Sequence, residues 1–280
     1  MFVKPKKRSK LRIFLGIRYY RLLRYIEWFF GDKKYAKELG DSPLENVIAT
    51  HRTPLLRKLK NVDMWLQHNK VKNLKIATKK LNGIIIKPGE TLSYWKLIGN
   101  PTKSKGYVKG MNLFYGTFIA RYGGGLCQLS NLIYWMTLHT PLTVTERYRH
   151  SFDVFPDVNR KQPFGSGATC VYNYRDLQIF NNTEDTHQLF VYLTDDYLVG
   201  EWRSDNISTR KYEVYEKKHW ITHEYWGGYI RNNVIHRKTY DYYGEEIDDE
   251  YITENHAIMM YQPLLSQINK SKKEDESTAK

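Results

Sequence analysis

Cys127 is one of two cysteines in the chain, and it follows three consecutive glycines. The segment from Gly123 to Ser130 reads Gly-Gly-Gly-Leu-Cys-Gln-Leu-Ser and leads into an apolar run. A helix that begins near Leu126 would place Cys127 in its first turn, where unpaired amides and the helix dipole favour a thiolate. The pattern therefore predicts a nucleophilic thiol with a lowered pKa. The alternative is a tight turn that holds a small, buried cysteine.

Two residues further along the chain could complete a thiol site. Residues 142–147 are rich in β-branched side chains and predict a strand that returns beside the helix, so that His150 could act as a general base towards Cys127. Asp176, in a predicted strand over residues 168–180, could orient the imidazole. The alternatives are a hydrogen-bonded surface histidine and an edge-strand carboxylate. Cysteine, histidine and a polar residue in this order are typical of papain-like and NlpC-like thiol enzymes, which is an analogy of fold only.

A stretch from roughly residue 70 to 200 resembles the VanW family in several short segments. The shared features begin with the glycine–cysteine–glutamine–serine core and continue with Thr145-Glu146-Arg147 and His150-Ser151. Residues 81–95 resemble the opening segment of the family, and residues 167–183 contain matches to its closing strand.

The resemblance implies peptidoglycan-related chemistry, in which a cysteine takes an acyl group from a stem peptide or precursor and passes it to an amine, as in L,D-transpeptidation, or to water. It assigns catalysis to Cys127, His150 and Asp176. The residues that it places at the substrate are Gly123, Gly124, Gly125, Gln128, Ser130, Glu146 and Arg147. The alternative is a non-catalytic accessory protein that binds peptidoglycan or its precursor in cell-wall synthesis or glycopeptide resistance. No cofactor is implied, and the scattered histidines, without a Cys-x-x-Cys pair, predict no catalytic metal.

The amino-terminal residues carry an uneven share of the net charge of +14. The first 24 residues hold nine lysines or arginines and no acid, with apolar residues mostly at helical intervals. We expect a basic amphipathic helix that contacts an anionic membrane surface through residues 4–30, or alternatively a helix packed on the domain. Its apolar runs are too short to span a bilayer, and no cleavable signal is legible. The expected location is therefore cytoplasmic, peripheral to the inner face of the membrane, with an extracellular location as the alternative. No nucleic-acid partner is expected, because no recognition module is legible.

These patterns together predict an α+β fold in which the nucleophile starts a helix packed on an antiparallel sheet. High aromatic content, with 23 Tyr, 11 Phe and 7 Trp, suits a β-rich body. We expect a basic helical extension over residues 1–60 and a VanW-like domain over residues 61–210. A β-meander extension over residues 211–262 and a disordered tail over residues 263–280 complete the expected organisation.

Overall fold

The computed structural model describes residues 8–57, 63–154 and 162–263, and these ranges combine helices with mainly antiparallel sheets, in which the short edge strands 34–35 and 152–153 pair in parallel. The predicted tail beyond residue 263 and residues 4–7 of the predicted membrane segment lie outside them. The helices are α1 (Lys10–Phe30), α2 (Met64–Leu81), α3 (Tyr94–Ile98) and α4 (Cys127–Thr137). The strands are β1 (Lys34–Tyr35), β2 (Asn46–Pro54), β3 (Ile84–Ile86), β4 (Glu90–Ser93), β5 (Lys109–Phe114), β6 (Thr117–Tyr122), β7 (Thr143–Glu146), β8 (Phe152–Asp153), β9 (Gln178–Phe180), β10 (His187–Leu193), β11 (Tyr197–Ser204), β12 (Lys211–His223), β13 (Tyr229–Tyr240) and β14 (Glu246–Met259).

The strands form three four-stranded sheets and one hairpin. The first sheet has the order β1-β4-β9-β7, the second β2-β11-β10-β3, and the third β12-β13-β14-β8. Strands β5 and β6 pair only with each other and lead directly into the three glycines before α4. Strands of the first and second sheets are interleaved along the chain. Strand β2, for example, belongs to a sheet whose other members lie between residues 84 and 204.

Helices α2 and α4 pack on the second sheet, where most of the hydrophobic core lies. Strand β11 alternates buried and half-buried residues, as expected of a strand with one face on the core. Its Trp202 is fully buried, and the indole Nε1 donates a hydrogen bond to Thr137 Oγ1 at 3.1 Å. Gly200 brings the strand close to α4, since a Cβ there would lie 2.5 Å from the methyl group of Met136. This contact holds the carboxyl-terminal half of α4 firmly on the sheet.

Of two segments compared with the sequence-based expectation, the amino-terminal one differs in part and the carboxyl-terminal one agrees. Residues 10–30 are helical as expected, but residues 46–54, which were expected in a helical extension, form strand β2. The reason is non-local, because the ladder partner of β2 is β11, about 150 residues away in the chain. Residues 211–259 form the three antiparallel strands β12, β13 and β14 where alternating runs predicted a meander. Of the helices within the described ranges, none is both long and apolar enough to cross a membrane.

Candidate functional site

Cys127 is the first residue of α4, which confirms that it begins a helix. The preceding Leu126 stands at the N-cap position, and no side chain in the described ranges caps this helix end. The Tyr94 hydroxyl donates a hydrogen bond to the Leu126 carbonyl at 2.9 Å and fixes the turn from the other side. Cys127 Sγ is half-buried and lies 3.9 Å from the carbonyl oxygen of Cys170. Within this first turn the Gln128 amide donates to the Gly125 carbonyl at 3.1 Å and the Leu129 amide to the Leu126 carbonyl at 3.0 Å. The start of α4 therefore places the thiol in the field of the helix dipole.

The electrostatic environment of Cys127 differs from the expectation. Burial of the sulfur raises the pKa of the Cys127 thiol, and contacts with the backbone at Cys170 and at Cys127 itself lower it by less. The predicted lowering of this pKa is therefore wrong for the protein without a ligand. The physical reason is that desolvation of the thiolate outweighs the favourable field at the start of a single helix. At neutral pH Cys127 is a protonated thiol.

The segment of residues 167–170 connects the start of α4 with the chain just before His150. On one side, Ser130 Oγ donates a hydrogen bond to the Ala168 carbonyl at 2.8 Å, and Asn131 Oδ1 accepts one from the Ala168 amide, also at 2.8 Å. On the other side, the Thr169 amide donates to the Tyr148 carbonyl at 2.7 Å. Ser130, which was predicted to bind substrate, is fully buried and positions this segment.

His150 is half-buried, and its imidazole is neutral at physiological pH. Burial, together with the positive charges of Arg147 and Arg175, lowers the pKa of His150 to about 4. A neutral imidazole can accept a proton, but a pKa of about 4 makes His150 a weak base in the protein without a ligand, since general bases work best with a pKa near the operating pH. Between the described residues no hydrogen bond joins His150 to Cys127, so their direct contact stays a prediction.

Asp176 is fully buried and holds the start of α3. Its carboxylate accepts hydrogen bonds from Ser93 Oγ at 2.5 Å, from the Trp95 amide at 2.9 Å and from the Leu177 amide at 2.9 Å. Burial raises the pKa of Asp176 to about 7, although the hydrogen bonds from Ser93 and Trp95 oppose this shift. Within the described ranges these donors, rather than His150, are the hydrogen-bond partners of the carboxylate. Its role as the residue that orients His150 stays a prediction.

Glu146 connects Asp176 to the amino-terminal helix. Glu146 Oε1 accepts a hydrogen bond from the Asp176 amide at 3.0 Å and forms an ion pair with Arg24 of α1. Arg24 is only 7% exposed and also pairs with Glu27, at 2.7 Å. From its position within residues 4–30, Arg24 was expected among the membrane-facing cations. Nothing in the local pattern distinguishes it, because its partner lies 122 residues further along the chain.

Arg147, the second charged residue predicted at the substrate, binds the protein's own backbone. Its guanidinium donates to the carbonyls of Gly165 and Gly167, with the second contact at 2.9 Å. It also donates to Thr253 Oγ1 at 3.1 Å and to Asn255 Oδ1 at 3.0 Å, both on β14. Arg147 therefore ties the meander to the segment beside α4.

The three glycines allow close packing of this turn against the rest of the protein. A Cβ at Gly124 would lie 2.1 Å from the Gly110 carbonyl oxygen on β5. A Cβ at Gly125 would lie 2.2 Å from the Lys70 side chain, and one at Gly123 would lie 2.5 Å from Pro101. Gly123 and Gly125 also have positive φ angles, of 71° and 92°, which other residues rarely adopt. Their contacts explain the glycines without a ligand, and contact with substrate stays a prediction.

Gln128 lies on the exposed side of the first turn of α4 and joins this turn to β2. Its Nε2 donates hydrogen bonds to Thr53 Oγ1 at 2.8 Å and to the Pro54 carbonyl at 2.9 Å. Among the residues that the structure describes, no group of three or more His, Cys, Asp or Glu side chains could hold a metal ion. The site therefore consists of Cys127, the uncapped helix start and a neutral His150 on the neighbouring segment.

Comparisons with known proteins agree with the resemblance read from the sequence. Residues 69–203 match the sequence profile of a family described as VanW like protein. The vancomycin B-type resistance protein VanW of Enterococcus faecalis is 37% identical over 180 residues, which cover 64% of this chain and 66% of that protein. The uncharacterized protein YoaR of Bacillus subtilis is 28% identical over 109 residues, which cover 39% of this chain and 34% of YoaR. The chain thus spans less than two thirds of either relative. No solved structure matches it.

Proposed function

The chain belongs to the VanW family through residues 69–203, and on this premise we propose that it is an accessory protein of glycopeptide resistance that acts by cysteine-dependent acyl transfer. The main observation in support of acyl transfer is the position of Cys127 at the start of α4, which no side chain of the described residues caps. A thiol there lies at the positive end of the helix dipole and next to backbone amides, which are features that acyl transfer uses to stabilise negative charge. The proposed acyl donor is a peptidoglycan stem peptide or its precursor.

The proposed mechanism starts from a neutral thiol and a neutral imidazole. His150 takes the proton of Cys127 as Sγ attacks the peptide carbonyl, and the amides at the start of α4 stabilise the oxyanion. The carbon–nitrogen bond then breaks, and His150 returns the proton to the leaving amine. An acceptor amine next attacks the thioester, forms a new amide and releases the thiol; water in its place gives hydrolysis. The raised pKa of Cys127 and the lowered pKa of His150 both disfavour this proton transfer in the protein without a ligand, so the mechanism requires bound substrate to bring the two values together.

Intact-protein mass spectrometry after incubation with muropeptides tests this proposal. We expect an acyl adduct on the wild-type protein and on Cys170→Ser, and no adduct on Cys127→Ser. Cys170 is the matched control, because it is the second cysteine and is buried with a pKa raised well above its usual value. An adduct that persists in Cys127→Ser, or no adduct on any variant with muropeptides that bind, would refute the acyl-transfer step.

A second candidate function is non-catalytic binding of peptidoglycan or its precursor. Two observations favour it, namely the raised pKa of Cys127 and the close packing of the three glycines against the chain itself. Binding by such a module does not depend on the thiol. Equal muropeptide affinity of wild type and Cys127→Ser, without an adduct on either, would select this function.

We also propose that α1 binds an anionic membrane surface, with the inner face as the location. The apolar side chains of α1 are not the ones that it buries against the domain. Arg24 and Trp28 face the protein, while large apolar side chains face outwards. On the outward face Leu11 is 66% exposed, Leu22 is 58% exposed and Phe29 is 71% exposed. Exposed apolar side chains flanked by cations suit the boundary between lipid headgroups and acyl chains.

Sedimentation with phosphatidylglycerol vesicles tests this proposal with point variants rather than a truncation, because removal of α1 would also remove Arg24 from Glu146. Replacement of Leu22 and Phe29 by Ser is expected to lower binding at least tenfold. The matched control replaces Tyr242 and Tyr243, which are 79% and 86% exposed on another loop, by Ser and should bind like wild type. Equal binding by both double variants would contradict a lipid-facing role for α1.

A further inference from the structure

A cavity of about 290 Å³ opens at the end of α4 that is remote from Cys127. It lies where the carboxyl-terminal half of α4, strand β2 and the first residues of β12 meet. Trp135 on its wall follows Cys127 by eight positions, which places it about 12 Å further along the helix axis at about 1.5 Å per residue. The cavity is therefore separate from the proposed acyl-transfer site.

The cavity carries positive charge. Arg210 and Lys211 line it and are both exposed. None of the residues described at its wall is acidic. The nearby Arg237 donates to the carbonyls of Leu138 and Thr140 and is paired with Glu250, so Arg210 and Lys211 supply the positive charge of this cavity. Such a surface favours a ligand with a negatively charged group.

The same cavity offers a flat apolar wall and a hydrogen-bond acceptor. Trp135 is half-buried, and its ring centroid lies 4.7 Å from that of His139 in an edge-to-face arrangement. His139 Nδ1 lies 2.9 Å from the Trp135 carbonyl, which only accepts, so Nδ1 carries the proton. Burial lowers the pKa of His139, and the ring is neutral. Its Nε2 is therefore an acceptor for a ligand hydroxyl or amide N–H.

There is room for a ligand that extends beyond this cavity. A second cavity, of about 400 Å³, shares Arg210 and Lys211 with the first and is lined at its far side by Tyr240 and Tyr242. The two cations thus lie between an indole at one end and phenol rings at the other. Glu213 and Asp241 also line the second cavity, so a ligand that extends into it would carry its acidic group near the two cations and place an uncharged ring beside the tyrosines.

We propose that the cavity beside Trp135 binds a sugar unit that carries a carboxylate or phosphate group. The sugar ring packs on Trp135, one of its hydroxyl or amide groups donates to His139 Nε2, and the acidic group lies between Arg210 and Lys211. This inference goes beyond the proposed acyl transfer and does not depend on Cys127. The shared chemistry, a sugar with an anionic substituent, fits both carboxylate-bearing and phosphate-bearing glycans.

Isothermal titration calorimetry of the full chain with three sugars, and with inorganic phosphate as a control, tests the assignment. N-acetylmuramic acid carries a carboxylate, glucose 6-phosphate carries a phosphate, and N-acetylglucosamine is a neutral ring. We expect at least one of the anionic sugars to bind tenfold or more tightly than the neutral sugar, and the tighter of the two identifies the source. Arg210→Gln combined with Lys211→Gln should reduce the affinity for the anionic sugar to that of the neutral one, and Trp135→Ala should lower both affinities.

The controls separate this site from charge in general and from the thiol. Lys79→Gln combined with Lys80→Gln makes the same charge change at exposed positions on α2 and should leave binding unchanged. Cys127→Ser should bind like wild type, even if acyl transfer is lost. Equal affinities for the anionic and neutral sugars, an unchanged affinity in the Arg210 and Lys211 double variant, or equally tight binding of inorganic phosphate would overturn the proposal.

Discussion

Replacement of Asp176 by Asn separates its structural role from the catalytic role that the sequence predicts. The carboxylate accepts from Ser93 Oγ on one oxygen and from the Trp95 and Leu177 amides on the other. An Asn side chain keeps one oxygen for the two amides, and its Nδ2 can donate to Ser93 Oγ. The exchange therefore preserves the hydrogen bonds at the start of α3 and removes only the titration.

The sign of the resulting pH dependence follows from the pKa of Asp176, which burial raises from 3.8 to about 7. The folded protein then binds more protons than the unfolded chain between these pH values, so that stability falls as pH rises through this window. At about 1.4 kcal/mol per pH unit, the full effect is at most about 4 kcal/mol. Histidines with lowered pKa values, such as His150, act in the opposite direction, because their contribution is lost as pH falls below about 6.5.

Urea unfolding of wild type and Asp176→Asn at pH 5, 6, 7 and 8 provides the measurement. Both proteins contain the same histidines, so the contribution of these residues to the pH dependence of the unfolding free energy cancels in the difference between the two profiles. We expect Asp176→Asn to gain stability relative to wild type by about 2 to 3 kcal/mol between pH 5 and 8, because the slope of about 1.4 kcal/mol per pH unit ends near the pKa of about 7. A flat difference profile would refute the reasoning. Acyl-adduct formation by the same variant tests the catalytic role separately, because loss of adducts in a stable protein would favour the orienting function.

Three further predictions concern the packing and the thiol. Arg24→Met leaves the Glu146 carboxylate without its buried partner, and we expect the free energy of unfolding in urea to fall by about 3 to 5 kcal/mol. A fall below about 1 kcal/mol would contradict a buried ion pair. Gly124→Ala places a Cβ against the backbone of β5 and should cost more than about 2 kcal/mol, whereas Gly16→Ala, with open space in α1, should stabilise by up to about 1 kcal/mol. Similar values for both would exclude close packing at the glycine turn. The alkylation rate of Cys127 without ligand should rise with pH only above the usual range of a free thiol, because burial raises its pKa, and an inflection below about 8 would contradict this.

Local sequence signals located the elements around Cys127, while long-range pairing decided the remainder of the fold. The glycine break and the apolar run after it determine where α4 begins, because both act within a few residues. Strand β2 was not predicted from the sequence, because residues 46–54 pair through backbone hydrogen bonds with β11 and not with neighbours in the chain. Secondary structure that depends on distant partners leaves a weak trace in a single sequence.

The candidate site shows the same division between local and distant causes. The position of Cys127 was predictable, but its pKa was not, because desolvation depends on the segment around Cys170 that covers the sulfur. Glu146 and Arg147 have the residue types expected of substrate-binding groups. Their partners, Arg24 on α1 and Asn255 on β14, lie more than 100 residues away. Residue type and spacing alone therefore do not distinguish a charge that holds the fold from one that meets a ligand.

Helix α1 shows how contacts with distant residues change a functional prediction. A count of charges along the segment predicts nine cations available to a membrane, but Arg24 is committed to Glu146 and Arg21 donates to the Tyr172 carbonyl at 2.9 Å. Arg21 and Arg24 are thus used to attach the helix to the domain, while Lys10, Arg12 and Arg18 are exposed together with the outward apolar residues. Membrane affinity should then depend more on apolar area, which salt does not screen, than the charge count implies. Arg24 of α1 pairs with Glu146, and Glu146 accepts a hydrogen bond from the Asp176 amide. These two contacts join the helix proposed to bind the membrane to the chain around Asp176.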